Sequence, residues 1–494
     1  MKTMKHKISA FLFIIGITFS ACEGDLEPHI YDRVAPNNFY QTANDLEVAT
    51  TPVYWELKNN GWGPYMVSDG SRFIMNEVGT EEWTCKWSWD AFLNLNWIIG
   101  EKMAYGFYET MMPAVTKATY VIEKIKECPV DNEVKAKYIA ELRCLRAYFV
   151  ADLYMLYGPL PVIVTKNEAY YPSSDYKPSR PTKEWMTNFI ETELKECASD
   201  LPIVQSEWGR CTRGAALSKL LKLYLYEKQW NKAVSVTSDI MTLGYELQRS
   251  YSDIFSVYNE QNKEIIFAIP CEPKDGYGLL WFSNALPPDF KSKVGVNYSA
   301  WNGWRIPWAF YDSFEEGDKR KELIYESYEN KSGQIVNLRT IGDVGGLAMK
   351  YGEDSNNPGQ WSGNDYIQFR YADILLCRAE ALNEANPVPT QEIIDLLNQV
   401  RRRAFDNYDN SKHKLTLSQF PTKEIMRDRI LKERSWELWC EGVRREDLLR
   451  HEKYLDVARQ VGSSFVSDKN LLYPIPTWAI IENPNLENNP GYDK

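Results

Sequence analysis

Three glutamates near the C-terminal end of the chain have a spacing that could support chemistry. Glu433, Glu437 and Glu441 recur at every fourth position, so a helix would place them on one face. Two carboxyl groups about 5–10 Å apart can act as the acid and base of a glycoside hydrolase. Arginines are interleaved with them, however, and such alternation favours a structural ion-pair network. These arginines are Arg429, Arg434, Arg444 and Arg445.

Other residues with catalytic chemistry are sparse. Arg370, Asp373 and Glu380 have the same alternating pattern and also predict structural ion pairs. His413 and His451 are isolated, and no phosphate-binding glycine loop or C-x-x-C pair is present. The sequence leaves open whether loop oxygens bind a structural calcium ion, but no EF-hand spacing supports such a site. The sequence therefore predicts no catalytic residue, no metal site and no cofactor.

Composition narrows the class of partner. The chain has 494 residues, a net charge of −11 and 14% aromatic residues. An acidic chain does not neutralise phosphates, so nucleic acid is excluded as an expected partner. Tryptophan and tyrosine offer large amphipathic rings, which suit binding surfaces.

The N-terminus predicts export and a lipid anchor. Lys2, Lys5 and Lys7 precede an apolar run over 8–19, which is too short to span a bilayer but suits a signal peptide. The following Phe-Ser-Ala-Cys resembles a bacterial lipobox, which implies cleavage before Cys22 and lipid attachment to its thiol. An ordinary secretory signal with a chance cysteine is the alternative. We therefore predict a signal peptide over 1–21 and an acidic tether over 22–35.

The remaining eight cysteines permit disulfides whose pairing the sequence does not fix. Cys144 and Cys377 lie within helical patterns and are predicted to be buried free thiols. The others are Cys85, Cys128, Cys197, Cys211, Cys271 and Cys440.

Helical periodicity dominates the rest of the chain. Apolar residues over 138–157 recur at steps of three and four and stop at Gly158-Pro159. Residues 214–243 predict a helical hairpin with a break near Lys228, which resembles a degenerate tetratricopeptide repeat. Further helices are predicted at 36–58, 104–127, 182–199, 366–386, 390–405 and 422–440. The predicted fold is mainly α, with tetratricopeptide-like helix pairs, an N-terminal helical part over 36–262 and a C-terminal part over 263–494, packed as one globular unit.

Two aromatic segments interrupt the helices. Residues 60–103 and 263–365 are rich in glycine, proline, asparagine and tryptophan, which predicts long ordered loops and short strands, including one near 264–269. Binding residues concentrate on loops held by a rigid scaffold, so we predict that the 60–103 and 275–305 segments converge on a ligand. The candidate residues for stacking are Trp83, Trp87, Trp89, Trp281, Tyr298, Trp301 and Trp304, and those for hydrogen bonding are Asp69, Arg72 and Asn96.

Three blocks of sequence resemble the SusD/RagB family of Bacteroidetes outer-membrane lipoproteins. They are ELRCLRAYFVADLYMLYGPLPV over 141–162, RYADILLCRAEALNE over 370–384, and ILKERSWELWCEGVRREDLLR over 430–450 followed by LYPIPTWAIIENPNLENNPGY over 472–492. The resemblance implies a SusD-like helical fold and a non-enzymatic protein that binds oligosaccharide or polysaccharide beside a SusC-like TonB-dependent transporter. The acidic tract after Cys22 resembles the signal for the outer face of the outer membrane, which implies a lipid-anchored, exterior location.

Three other functions stay open at this point. RagB-like capture of peptides or glycopeptides would use the same scaffold. An anchored glycoside hydrolase would need a carboxyl pair in an open aromatic cleft. A repeat scaffold with no small ligand would bury its loop tryptophans.

Overall fold

The computed structural model describes residues 39–98, 102–171, 173, 175–406, 408 and 412–492. The predicted signal peptide, the acidic tether and the lipid-attachment residue Cys22 lie outside these residues. The α-helices are α1 (Ala43–Lys58), α2 (Arg72–Glu77), α3 (Asp90–Leu93), α4 (Lys102–Glu127), α5 (Asn132–Tyr157), α6 (Lys166–Tyr170), α7 (Lys183–Asp200), α8 (Arg213–Tyr226), α9 (Trp230–Met241), α10 (Trp281–Ala285), α11 (Trp308–Tyr311), α12 (Tyr371–Ala385), α13 (Gln391–Arg402), α14 (Lys423–Leu438), α15 (Arg444–Arg450), α16 (Tyr454–Gln460) and α17 (Thr477–Glu482).

Local chemistry explains where the main helices start and stop. Asp131 caps the start of α5 by accepting the Glu133 backbone N–H at 2.8 Å. The helix ends at Gly158, whose φ of 74° suits glycine. The predicted hairpin is confirmed as α8 and α9, and Lys228 has a φ of 54° in the turn between them.

The helices pack in succession along the chain. Helix α4 packs on α5, α5 on α7, α7 on α8, α8 on α9, and α9 on α12, which also contacts α13 and α14. This arrangement confirms the predicted mainly α fold, while the tetratricopeptide likeness of the pairs stays a prediction. Among the described residues, no helix has both the length and the apolar character needed to cross a bilayer.

Short strands lie between the helices and hold the loops. They are β1 (Thr84–Cys85), β2 (Ile265–Ile269), β3 (Trp304–Pro307), β4 (Ile324–Tyr325), β5 (Ser327–Glu329), β6 (Ile335–Asn337), β7 (Gly345–Ala348) and β8 (Tyr366–Arg370). One sheet has the order β1-β3-β7-β4, and β2 pairs with β8 and β5 with β6, all antiparallel. The helix predicted over 366–386 is wrong at its start, because residues 366–370 pair with β2 and the helix begins at Tyr371.

The apolar stripes of the predicted helices form the core. Leu142, Leu145, Phe149, Leu153 and Leu156 are all buried, as their spacing predicts. The eight described cysteines are free thiols, and Cys144 and Cys377 are buried, which confirms both predictions. The other free thiols are Cys85, Cys128, Cys197, Cys211, Cys271 and Cys440.

The three spaced glutamates form a buried ion-pair network. Glu437 lies 2.6 Å from Arg370 and 2.5 Å from Arg403, and Glu433 lies 2.7 Å from Arg320. Their positively charged partners hold the pKa of Glu433 down to about 2 and that of Glu437 lower still, against the opposing effect of burial. Carboxylates held ionised in this way cannot act as the general acid of a glycosidase, so the structural interpretation of these residues is confirmed.

The partners of these glutamates differ from those that the sequence suggested. Of the interleaved arginines, Arg429 binds Glu433, but Arg434 binds Asp447 and Arg444 binds Glu81. Arg445 donates to the carbonyls of 470 and 471 and lies over Tyr473. The other predicted structural ion pairs are also present: Arg370 to Glu441, Asp373 to Lys222 and Glu380 to Arg450.

The buried glutamates predict one large and one small mutational effect on stability. Glu437→Gln would leave buried arginines with fewer counter-charges and should lower the free energy of unfolding by about 3–5 kcal/mol. Glu82 is also buried, but desolvation raises its pKa well above the usual range and neither carboxylate oxygen accepts a hydrogen bond from the described residues. Glu82→Gln should therefore change stability little.

Urea unfolding followed by circular dichroism would measure both effects, with the exposed Glu452→Gln as the control. For Glu433, a lowered folded pKa means that its contribution to stability is complete above about pH 4.5 and is lost as pH falls towards 2. Equal stability of the Glu437 and Glu82 variants would contradict this assignment.

Candidate functional site

The two aromatic segments meet at one place on the helical frame. Strand β1 pairs with β3, so that Thr84 lies opposite Arg305 and Cys85 opposite Trp304. Beyond the strands, the Lys86 N–H donates to the Gly303 carbonyl at 2.7 Å. The Trp87 indole N–H donates to the Trp301 carbonyl at 3.1 Å. The structure therefore brings 60–103 and 275–305 together, as the sequence analysis expected.

Four indole rings lie near the surface of this junction. Trp62 is 48% exposed and stacks on Trp301, with ring centroids 5.8 Å apart and planes 15° apart. Trp301 contacts Trp87 at 6.3 Å, and Trp87 contacts Trp89 at 5.0 Å; all three are half-buried. We call Trp62, Trp87, Trp89 and Trp301 the aromatic surface. It offers flat apolar faces beside backbone and side-chain polar groups, which is how proteins bind ligands with apolar faces and polar edges.

Backbone geometry fixes the position of the most exposed ring. Asn59, Asn60 and Gly61 have φ values of 37°, 58° and 72°, so the chain turns sharply before Trp62. A side chain at Gly61 would collide with the Trp361 ring, because its Cβ would lie 2.3 Å from a ring carbon. Trp361 itself is buried and meets Trp62 edge to face at 5.9 Å. The turn and the buried ring thus present Trp62 to solvent in one orientation.

A second glycine allows the Trp87 ring to approach the backbone closely. A Cβ at Gly303 would be 2.3 Å from the Trp87 ring. Glycine at this position is therefore required for the close approach of ring and backbone.

Four of the stacking candidates are wrong as ligand contacts, because the loops use them as their own core. Trp281 is fully buried and its indole N–H donates to the Ala348 carbonyl at 2.7 Å. Trp83 and Trp304 are buried against each other at 5.9 Å. Tyr298 is buried, and its hydroxyl donates to Glu353 at 3.1 Å. Loops of this length need an internal apolar cluster to hold their shape, so part of their aromatic content is structural.

The polar candidates also include both buried and accessible side chains. Arg72 is buried between Asp152 and Glu446, at 2.9 and 2.5 Å, so it is a structural arginine and not a ligand contact. Asp69 is exposed, and its partial desolvation raises its pKa. Asn96 is half-buried in a turn in which its N–H donates to the Ala91 carbonyl.

Sequence reasoning missed three residues at the surface of the junction. Trp62 is not among the candidates named from the sequence, although its setting between two glycines after Asn-Asn signals a presented side chain. Lys86 is exposed and binds Asp343 at 2.8 Å, while Asn302 accepts a hydrogen bond from Arg305 beside Trp301. Lys86 and Asn302 both border the aromatic surface. In the sequence, only their adjacency to Trp87 and Trp301 indicates this position.

Known proteins resemble this chain in both sequence and fold. Residues 338–492 match the SusD family profile. The chain is 24% identical to SusD-like protein P38 of Formosa agariphila, over all of both chains. It superposes on a SusD homolog from Bacteroides thetaiotaomicron with a TM-score of 0.80 and 20% identity, covering 93% of this chain and 99% of that one.

A third similar structure contains a bound oligosaccharide. Surface glycan-binding protein A from Bacteroides thetaiotaomicron, in complex with laminarihexaose, superposes with a TM-score of 0.73 and 18% identity, covering 90% of this chain and 99% of that one. The fold is that of the SusD superfamily. The C-terminal part of the chain thus carries the SusD family pattern, and the whole chain is similar to SusD-like proteins in sequence and fold.

Proposed function

We propose that this protein captures oligosaccharides or polysaccharides on the aromatic surface, at the exterior of the cell. The observation that carries the proposal is the exposed Trp62 ring, which stacks on Trp301 where the two loop segments meet. Sugar rings have apolar C–H faces and hydroxyl edges, and indole faces pair with the former. The SusD-superfamily fold, shared with a protein solved with laminarihexaose, supports the same chemistry.

The proposed role is binding without catalysis. Glu433 and Glu437, which could have formed an acid–base pair, are buried and ionised within the helical core, and Glu441 is paired with Lys350 and Arg370. The aromatic surface has Lys86 and Asn302 at its border, which can bond hydroxyl groups. A release assay for reducing ends from polysaccharide is the direct check, and product formation would overturn the non-enzymatic role.

Trp62→Ala should weaken glycan binding at least tenfold. Truncating a well-placed tryptophan at a binding site costs on the order of 2 kcal/mol, and 1.4 kcal/mol is a factor of ten in affinity. Trp301→Ala should have a similar effect, because it removes the ring on which Trp62 stacks. Isothermal titration calorimetry against laminarin and a panel of neutral polysaccharides would measure the change.

Trp185→Ala is the matched control. Trp185 is 43% exposed and stacks on Phe189 in helix α7, so it is an equally accessible tryptophan outside the aromatic surface. Its removal should leave glycan affinity unchanged. Unchanged binding in the folded Trp62 and Trp301 variants would rule out the aromatic surface, and a wild type that binds peptides but no glycan would favour RagB-like peptide capture.

We also propose that the chain is anchored to the outer membrane through lipid on Cys22. The apolar run that ends in Phe-Ser-Ala-Cys supports this. Cys22→Ala should move the protein from the membrane fraction to the soluble fraction, as followed by immunoblot. Membrane retention of this variant, with no lipid found on wild-type Cys22 by mass spectrometry, would refute the anchor.

A capture protein needs a route across the membrane, and the family resemblance supplies a SusC-like TonB-dependent transporter as the partner. Affinity purification from native membranes in mild detergent should recover a large β-barrel protein without added glycan. Recovery of the chain alone in several mild detergents would argue against a stable complex.

A further inference from the structure

A second cleft lies at the opposite edge of the sheet that supports the aromatic surface. The sheet order is β1-β3-β7-β4, with Trp87 just beyond β1 and Tyr325 on β4. Neighbouring strands are about 4.8 Å apart, so the two outer strands are separated by roughly 14 Å. The two sites therefore share one structural support.

The cleft is large enough for a sugar residue and has an aromatic lining. A hollow of about 540 Å³ opens around Tyr311 and Tyr325. It adjoins a second hollow of about 410 Å³ beside Phe290 and Ile335, and Lys293 and Tyr325 line both. None of these residues belongs to the aromatic surface.

Two lysines are held over the tyrosine rings of the cleft. The Lys321 ammonium lies 4.1 Å from the centroid of Tyr311, and that of Lys293 lies 4.7 Å from the centroid of Tyr325. Lys293 also donates a hydrogen bond to the Tyr325 hydroxyl at 3.0 Å. Such cation–π contacts hold ammonium groups in place without neutralising them. Within the described part of the chain, neither ammonium has a carboxylate oxygen within 4.0 Å.

Most carboxylates around the cleft are already occupied. Asp318 is bound by the buried Arg320 at 2.6 Å. Glu326 accepts a hydrogen bond from the Tyr311 hydroxyl at 3.4 Å and faces an arginine at 3.5 Å. Of the described residues lining the cleft, Glu322 is the one carboxylate without an ion-pair partner, and it is exposed to water. The two lysine ammonium groups without an ion-pair partner therefore outnumber the one such carboxylate among the described residues of the lining.

We infer that this cleft binds an anionic sugar residue, one that carries a carboxylate or a sulfate ester. The positioned ammonium groups would pair with the anion, and the tyrosine rings would line the sugar. The Tyr325 hydroxyl accepts from Lys293, so its own proton is available to an anionic oxygen. The inference rests on the proposed function in taking the ligand to be a carbohydrate, and it extends that function to acidic glycans.

Calorimetry of the full chain with three probes tests the inference. Polygalacturonate supplies carboxylates, dextran sulfate supplies sulfate esters, and laminarin is neutral. Lys293→Gln and Lys321→Gln should each weaken the binding of whichever anionic probe the wild type binds. The expected loss is about fivefold for each single variant, which is the upper range for one accessible ion pair, and more than tenfold for the double variant. Laminarin binding should not change. Raising the salt concentration should weaken the binding of the anionic probes and leave laminarin binding unchanged, because mobile ions screen exposed charges.

Lys331→Gln is the matched control, since Lys331 is exposed and binds Asn297 outside the cleft. Equal losses in this control would show non-specific attraction and overturn the inference. It would also be overturned if neither anionic probe bound the wild type, or if polyglutamate bound as tightly as the sugars, which would indicate a site for acidic peptide. Circular dichroism confirms the fold of each variant. Titration of the Trp62→Ala variant with laminarin tests the aromatic surface separately. The proposed function and the anionic-sugar cleft can therefore fail independently of each other.

Discussion

Buried arginine–carboxylate pairs fix the loop segments to the helical frame, and the rest of the architecture depends on them. Arg370, at the end of β8, meets Glu437 of α14, while Arg320 reaches the same glutamate from the 263–365 segment. On the other side, Arg72 joins Asp152 of α5 to Glu446 of α15. Each charge is buried, so losing one partner would leave an unpaired ion in the core. The two segments that carry the aromatic surface are therefore held on the helices by buried ion pairs.

The exposed rings depend in turn on buried ones. Trp361 supports Trp62 from below, and Trp83 contacts Trp89 at 6.5 Å. Buried aromatic residues give loops that lack long strands a core of their own. This division explains why a segment rich in tryptophan offers only a few rings to solvent.

The sequence was sufficient for the helical frame and for the meeting of the two loop segments. Periodic apolar residues such as Leu145 and Phe149 predict their own burial, because a helix face repeats in a fixed way along the chain. Loop residues carry no such period, so Trp281 and Trp87 looked equivalent although only the latter reaches the surface. The partners of Glu437 were also beyond sequence reasoning, since Arg370 and Arg403 lie 67 and 34 positions away.

The backbone turn at Asn59, Asn60 and Gly61 has a consequence for ligand selection. Three successive left-handed residues and a buried ring beneath them leave Trp62 little freedom to adjust. A pre-organised surface loses little conformational entropy on binding, but it also cannot follow the contour of an arbitrary partner. A saccharide chain whose natural curvature matches the fixed planes of Trp62 and Trp301 would bind, and one with the same sugars in a differently bent linkage would not. Discrimination at such a site would thus follow the shape of the polymer more than the identity of its monomers.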